Sequence, residues 1–167
     1  MVRLLALALV TYFAVVGAPW ADELALPSGP VVLTVSGSIT VTNGNGTAAF
    51  DQAMLDALAQ HTTTSETPWY DGKRQFSGVL VSSLLEATGA TGSALTVTAL
   101  NAYSADIPVA DVIADPVILA SRVDGALLSV RDKGPLFVIY PFDTNPDLFN
   151  EVYFGRSVWQ VTSMTVH

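Results

Sequence analysis

Cysteine is missing from this sequence altogether. That removes disulfides, zinc–thiolate sites and thiol nucleophiles together, so the core must hold without covalent staples. Histidine is nearly as scarce, with two residues, one of them the last of the 167. The other, His61, stands at the end of a predicted helix, where a lone histidine is more often a cap or surface residue than a base. Basic side chains number seven against fifteen acidic ones, a net charge of −8. Such a balance leaves no electrostatic footprint for nucleic acid or anionic lipid. No Ser/His/Asp arrangement, paired metal ligands or phosphate loop is visible, which points to binding and away from enzymatic turnover.

What is present is largely apolar. Half of the residues are hydrophobic, enough to bury a core and too many for disorder. Part of that content is concentrated at the start: Arg3 precedes a nearly unbroken apolar run from Leu4 to Val16, with small residues at Gly17, Ala18 and Ala21. This is the layout of a secretory signal peptide, since the run is short for a bilayer span and Pro19 closes it. Residues 1–21 are expected to be a leader lost on export to the periplasm, taking Arg3 and Trp20 with it. The mature chain is then more acidic still and has no segment left for membrane insertion.

Residues 22–30 read as a short tail, and residues 31–167 as one domain. Val31 to Ser36 is β-branched and predicts a strand continuing over Ser38 to Thr42, before the Asn43-Gly44-Asn45-Gly46 turn. Asp51 is placed to cap a helix carrying Met54, Leu55 and Leu58, with Phe50 as a staple. His61 to Thr64 reads as extended and Ser65 to Gln75 as irregular. Ser77-Gly78 is expected to open a second helix, with Gly89 as its C-terminal stop. Strands follow over 95–100, 102–107, 117–122 and 126–130, with a short helical turn from Pro108 and a hairpin at Asp124-Gly125. Leu136 to Tyr140 predicts a strand buried on both faces. A long loop from Pro141 leads to a closing strand over 157–166, with Val158, Gln160, Thr162, Met164 and Val166 on one face. The fold class is α+β: mixed or antiparallel sheet with a few short helices.

In order, these pieces resemble the molybdopterin-binding domain of sulfite oxidase-like enzymes. Gln75-Phe76-Ser77-Gly78-Val79-Leu80, Leu84-Leu85 and Gly89 are similar to that family's "WxGVxLxxLL…aG". Ala102 to Pro108, Val117 to Ala120, Asp124 to Leu128, Gly134-Pro135-Leu136 and Tyr140-Pro141 continue the match, and Arg156-Ser157-Val158-Trp159 resembles "RSVKWL". The resemblance spans roughly residues 31–166 and rests on the order and spacing of motifs. It implies the mixed α+β sulfite oxidase fold, with a pterin in a groove between sheet and loops.

The departures matter as much. The enzymes hold molybdenum through a cysteine after the strand that here reads His61-Thr62-Thr63-Thr64. Their "HGYPLR" is here Asp132-Lys133-Gly134-Pro135-Leu136-Phe137, so its histidine falls on Asp132 and its arginine on Phe137. Phosphate donors are thereby lost. The resemblance narrows to a smaller family of exported proteins with this fold and no metal-binding cysteine, carried by Arg131 to Phe137 and Tyr140-Pro141-Phe142-Asp143. Such proteins bind a reduced monopterin without metal and then engage the periplasmic sensor region of a membrane enzyme controlling cyclic di-GMP. An oxidoreductase subunit that keeps a molybdopterin cofactor, and an interaction or assembly protein with a vestigial pocket, stand as alternatives.

A pterin needs an aromatic face and an acceptor for its amino edge. Trp69 and Tyr70, in a polar stretch, either line such a site or pack beneath it; Trp159 can face either way. Arg156 and Arg74 are candidate polar contacts, Arg156 alternatively forming a surface pair with Asp147 or Glu151. Asp132 and Asp143 flank the buried strand as ligands or turn residues. Tyr103 matches a tyrosine of the enzyme motif, though strand aromatics are commonly core. The Trp69 loop, the Arg131–Gly134 turn and the Asp143–Arg156 loop are expected to converge, which adds Arg131 and Glu151. The same long loop carries Phe142, Leu148, Phe149, Tyr153 and Phe154, an apolar set expected at the surface.

Overall fold

The computed structural model describes residues 24–167; the expected leader lies outside the described residues. Ten strands and four short helices follow in order: β1 Val31–Gly37, β2 Ala48–Asp51, α1 Gln52–Ala57, β3 Gln60–Thr67, β4 Tyr70–Leu80, α2 Val81–Ala87, β5 Ala94–Ala99, β6 Ser104–Pro108, α3 Val109–Ala114, β7 Ile118–Val123, β8 Ala126–Leu127, β9 Phe137–Ile139, α4 Glu151–Arg156 and β10 Val161–Val166. One sheet runs β2-β1-β10-β5-β6, with β1 and β10 parallel and the other pairs antiparallel. The second runs β3-β4-β7-β8, with β9 also on β7, and is antiparallel throughout. The α+β class with mixed sheet is therefore correct. Among the described residues no helix is long and apolar enough to cross a membrane.

Apolar alternation explains the first sheet. Leu33 and Val35 of β1, Leu95 and Val97 of β5, and Val161, Met164 and Val166 of β10 point into one core. Asp51 caps α1 as expected, accepting from the Met54 N–H at 2.9 Å. Its other oxygen accepts from the backbone N–H groups of Ser28 and Gly29, both at 2.8 Å, which fastens the N-terminal tail to the domain. Leu136 to Tyr140 is wholly buried, as its continuous apolar run predicts.

Several stretches differ from expectation, among them residues 38–42, which do not continue the first strand. Residues 60–80 form a long hairpin, not an irregular segment followed by a helix. The inward positions of β3 are Thr63, Ser65 and Thr67, so its period of two is written in hydroxyl residues and not in hydrophobic ones. Gly78 lies within β4: a Cβ there would sit 2.1 Å from the Leu119 carbonyl oxygen, so this glycine permits close strand approach. The second helix starts only at Val81, and Gly89, at φ +57°, ends it as expected.

The long loop after Pro141 holds a 3₁₀ turn over Pro146–Leu148 and then α4, whose N-cap Asn150 accepts from the Val152 N–H. Phe142 and Leu148 are buried core residues, correcting their placement at the surface; Phe149 remains half exposed. The closing strand begins at Val161, because Gln160 adopts φ +54°, and its pairing to β5 shifts register between Val161 and Ser163. Its alternation is broken accordingly: Val158 and Val161 are both buried.

Candidate functional site

Four segments meet where β5 ends and β10 begins, around a cavity of about 400 Å³. The β3–β4 turn brings Trp69. The β5–β6 turn brings Asn101 and Tyr103, held tight by Asn101 Oδ1 accepting the Tyr103 N–H at 3.0 Å. Helix α4 brings Glu151, Phe154 and Gly155, and Ser157 to Trp159 closes the wall before β10.

The walls are aromatic. Trp69 is half-buried at the seam of the two hydrophobic clusters, with ring centroids of Phe137 at 5.2 Å, Phe154 at 5.9 Å, Trp159 at 6.1 Å and Phe142 at 6.4 Å. It lines the cavity and also packs. Trp159 is 39 % exposed, the freer indole, and crosses Trp69 at 73°. Two rings at that angle form a corner, in which a flat bicycle stacking on one meets the edge of the other.

Glu151 is the only ionisable carboxylate in the lining, and no lysine or arginine lines the cavity. Tyr103 is 51 % exposed, not core, and donates its hydroxyl to the Gly155 carbonyl at 3.0 Å, tying the β5–β6 turn to α4. Behind α4, Arg156 Nη1 lies 2.8 Å from Asp111 Oδ2, and the buried Tyr140 hydroxyl donates to the same oxygen at 3.0 Å. Burial, then the Asp111 charge, raises the Tyr140 pKa far above its ordinary value, so this phenol stays a donor. Arg156 thus braces α4 through Asp111, and its partner is neither Asp147 nor Glu151.

The cavity gathers Trp69, Tyr103, Glu151 and Trp159 from the expected residues and leaves the others outside its lining. Tyr70 sits over the hairpin, its hydroxyl donating to the Asp132 carbonyl and its ring covered by Lys133 Nζ at 4.5 Å. Burial, with Asp132 nearby, raises its pKa. Arg74 Nε stands 2.7 Å from Asp124 Oδ2, with its N–H off the line to that oxygen. Asp132 accepts from the Ser129 hydroxyl within a 3₁₀ turn, and Arg131 is exposed on the same turn. Asp143 straps the hairpin, accepting from the Glu66 N–H at 3.0 Å and pairing with Lys73 at 2.5 Å. Lys73, then that N–H, holds its carboxyl below the usual range. These acids and Arg74 satisfy local partners. The Arg131–Gly134 turn therefore gives way to the β5–β6 turn as the third wall. Asn101 and Gly155 escaped the sequence reading because only the turn and α4 bring them together, and Phe154, expected at the surface, lines the cavity.

A second hollow of about 450 Å³ lies beside the tail, α1 and β8, but offers no aromatic face, and its carboxylate, Asp51, is already saturated with N–H donors.

A family model described as the oxidoreductase molybdopterin binding domain matches residues 40–144. The chain belongs to that family. Among solved structures, the sulfane dehydrogenase SoxCD of Paracoccus pantotrophus matches with a TM-score of 0.59 at 19% identity, over 81% of this chain. At that identity the likeness concerns the molybdopterin-binding fold, and the match spans only 37% of the SoxCD chain. No curated protein gives a significant sequence match.

The residues of this molybdopterin-binding domain suit one part of such a cofactor and not the rest. No thiolate exists to ligate a metal. Ser65 and Thr67, buried in β3 just after Thr64, carry hydroxyls with no hydrogen-bond partner. Among the described residues no group of three His, Asp or Glu side chains could hold a metal ion. Where the family motif has an arginine, implied by the resemblance to be a phosphate donor, this chain has Phe137. Phe137 is buried behind the cavity wall, its ring 6.1 Å from that of the lining residue Trp159. The lining offers a flat heterocycle two stacking faces and one carboxylate.

Proposed function

We propose that this is an exported pterin-binding protein that, with a reduced pterin bound, engages the periplasmic sensor region of a membrane enzyme controlling cyclic di-GMP. The observation that carries the ligand part is the aromatic corner with one carboxylate and no cation, set within a molybdopterin-binding fold. The partner part is supported by the apolar side chains left exposed around the cavity: Leu100, Tyr103, Phe149, Val152 and Trp159. Exposed apolar groups clustered in this way are characteristic of protein-binding surfaces. A ligand in the cavity touches α4 and the β5–β6 turn, the two segments that carry most of that rim. A partner can thus read the liganded state by differential affinity, with no chemical step.

Family membership supports a second reading, an oxidoreductase subunit that retains a molybdenum cofactor. Binding of the sensor ectodomain to the purified mature protein, with and without reduced pterin, distinguishes them. The regulator reading expects tighter binding with pterin; equal affinity in both states removes its mechanism. N-terminal sequencing of periplasmic protein tests export, with a mature start expected between residues 19 and 22.

A further inference from the structure

The cavity has one charged group, and its chemistry narrows the ligand further. Glu151 stands on the first turn of α4, exposed, with no hydrogen-bond partner among the described residues. Among the described residues Arg156 pairs with Asp111, Lys73 with Asp143, Arg74 with Asp124 and Arg122 with Asp56, and the exposed Arg131 does not line the cavity. Lys133 lies over Tyr70. A carboxylate offers acceptors only, and two of them side by side match two adjacent N–H donors on a planar ring. Across the lining, Asn101 has its carbonyl oxygen committed to the Tyr103 N–H, which leaves its amide NH₂ as a donor.

We propose, building on the pterin-binding reading above, that Glu151 is the specificity-determining residue of this cavity, selecting an uncharged ring with an amino–imino donor edge while Asn101 donates to the adjoining oxo group. A ring that presents an oxo oxygen in place of the amino group sets an acceptor against the carboxylate, leaving both unpaired and repelling. A phosphorylated ring meets the same carboxylate with no cation in the lining to offset it. Trp69 and Trp159 supply stacking for any flat ring, so discrimination falls to the polar pair and not to the aromatic walls.

The test uses pterin and lumazine in their tetrahydro forms, which differ by an amino or an oxo group at one ring carbon, titrated calorimetrically without oxygen into the mature protein and into Glu151→Gln. Wild-type protein should prefer pterin by about tenfold or more, the value of a charge-assisted hydrogen bond. In Glu151→Gln that preference should vanish, through weaker pterin binding and lumazine binding that holds or improves, because the new amide can donate. A merely structural role for Glu151 would weaken both rings alike. An unchanged preference in Glu151→Gln overturns the assignment and leaves the pterin-binding reading standing. Failure of wild-type protein to bind either ring overturns both.

Discussion

Phe137 and Trp159 meet twice: their backbones form an isolated β-bridge, and their rings cross edge to face at 6.1 Å and 90°. The pairing joins β9, buried on both faces, to the segment before β10, and it fixes one wall of the cavity.

The two tryptophans should separate binding from stability. Trp159→Ala should weaken pterin binding by about tenfold to a hundredfold, the scale of base–aromatic stacking, with a small change in melting temperature. Trp69→Ala should weaken binding comparably and also destabilise the empty protein by on the order of 3 kcal/mol, because Trp69 sits among four aromatic neighbours. Calorimetric melting and ligand titration of both variants check the contrast.

Trp159→Lys should move the ligand range. A cation at this cavity-lining position supplies a phosphate partner and removes a stacking face. The affinity ratio between a pterin and its phosphorylated derivative should shift toward the phosphorylated form in the variant.

Arg156 should act through α4. Arg156→Met leaves Asp111 and the buried Tyr140 hydroxyl without their cation, at a cost of about 1–3 kcal/mol in denaturant unfolding. Pterin affinity should fall less than in Trp159→Ala, because the guanidinium braces the wall without lining it.

Acid stability should report the Asp51 clamp. N–H donors, that of Met54 first and Gly29 next, hold its carboxyl below the ordinary value. A depressed folded-state pKa stabilises above the unfolded value, about 3.9, and that contribution is lost as pH falls through the folded value. Asp51→Asn should flatten this part of the acid limb and lower stability at neutral pH, as followed by melting against pH.

The aliphatic strands were readable because their period of two is apolar on one face: Leu33/Val35 and Leu95/Val97 declare β1 and β5. Asp51 and Gly89 marked helix ends through local chemistry alone. The β3–β4 hairpin was not readable, since Thr63, Ser65 and Thr67 carry its inward face and hydroxyls also suit loops. At Gln160 a left-handed residue breaks the pattern of the closing strand, a backbone choice no side chain announces. Trp69 and Trp159 could be picked out as candidates for their ring chemistry. Asn101 and Gly155 could not, because their place in the cavity depends on the Tyr103 hydroxyl tethering one turn to α4.

The central claim is that the cavity holds a pterin ring without metal or phosphate. Protein purified from its native periplasm, denatured and analysed by pterin fluorescence, mass spectrometry and elemental analysis, tests it directly. The account predicts a phosphate-free pterin near one per chain with molybdenum at background. Molybdenum near one per chain, accompanied by a phosphorylated dithiolene pterin, would contradict it.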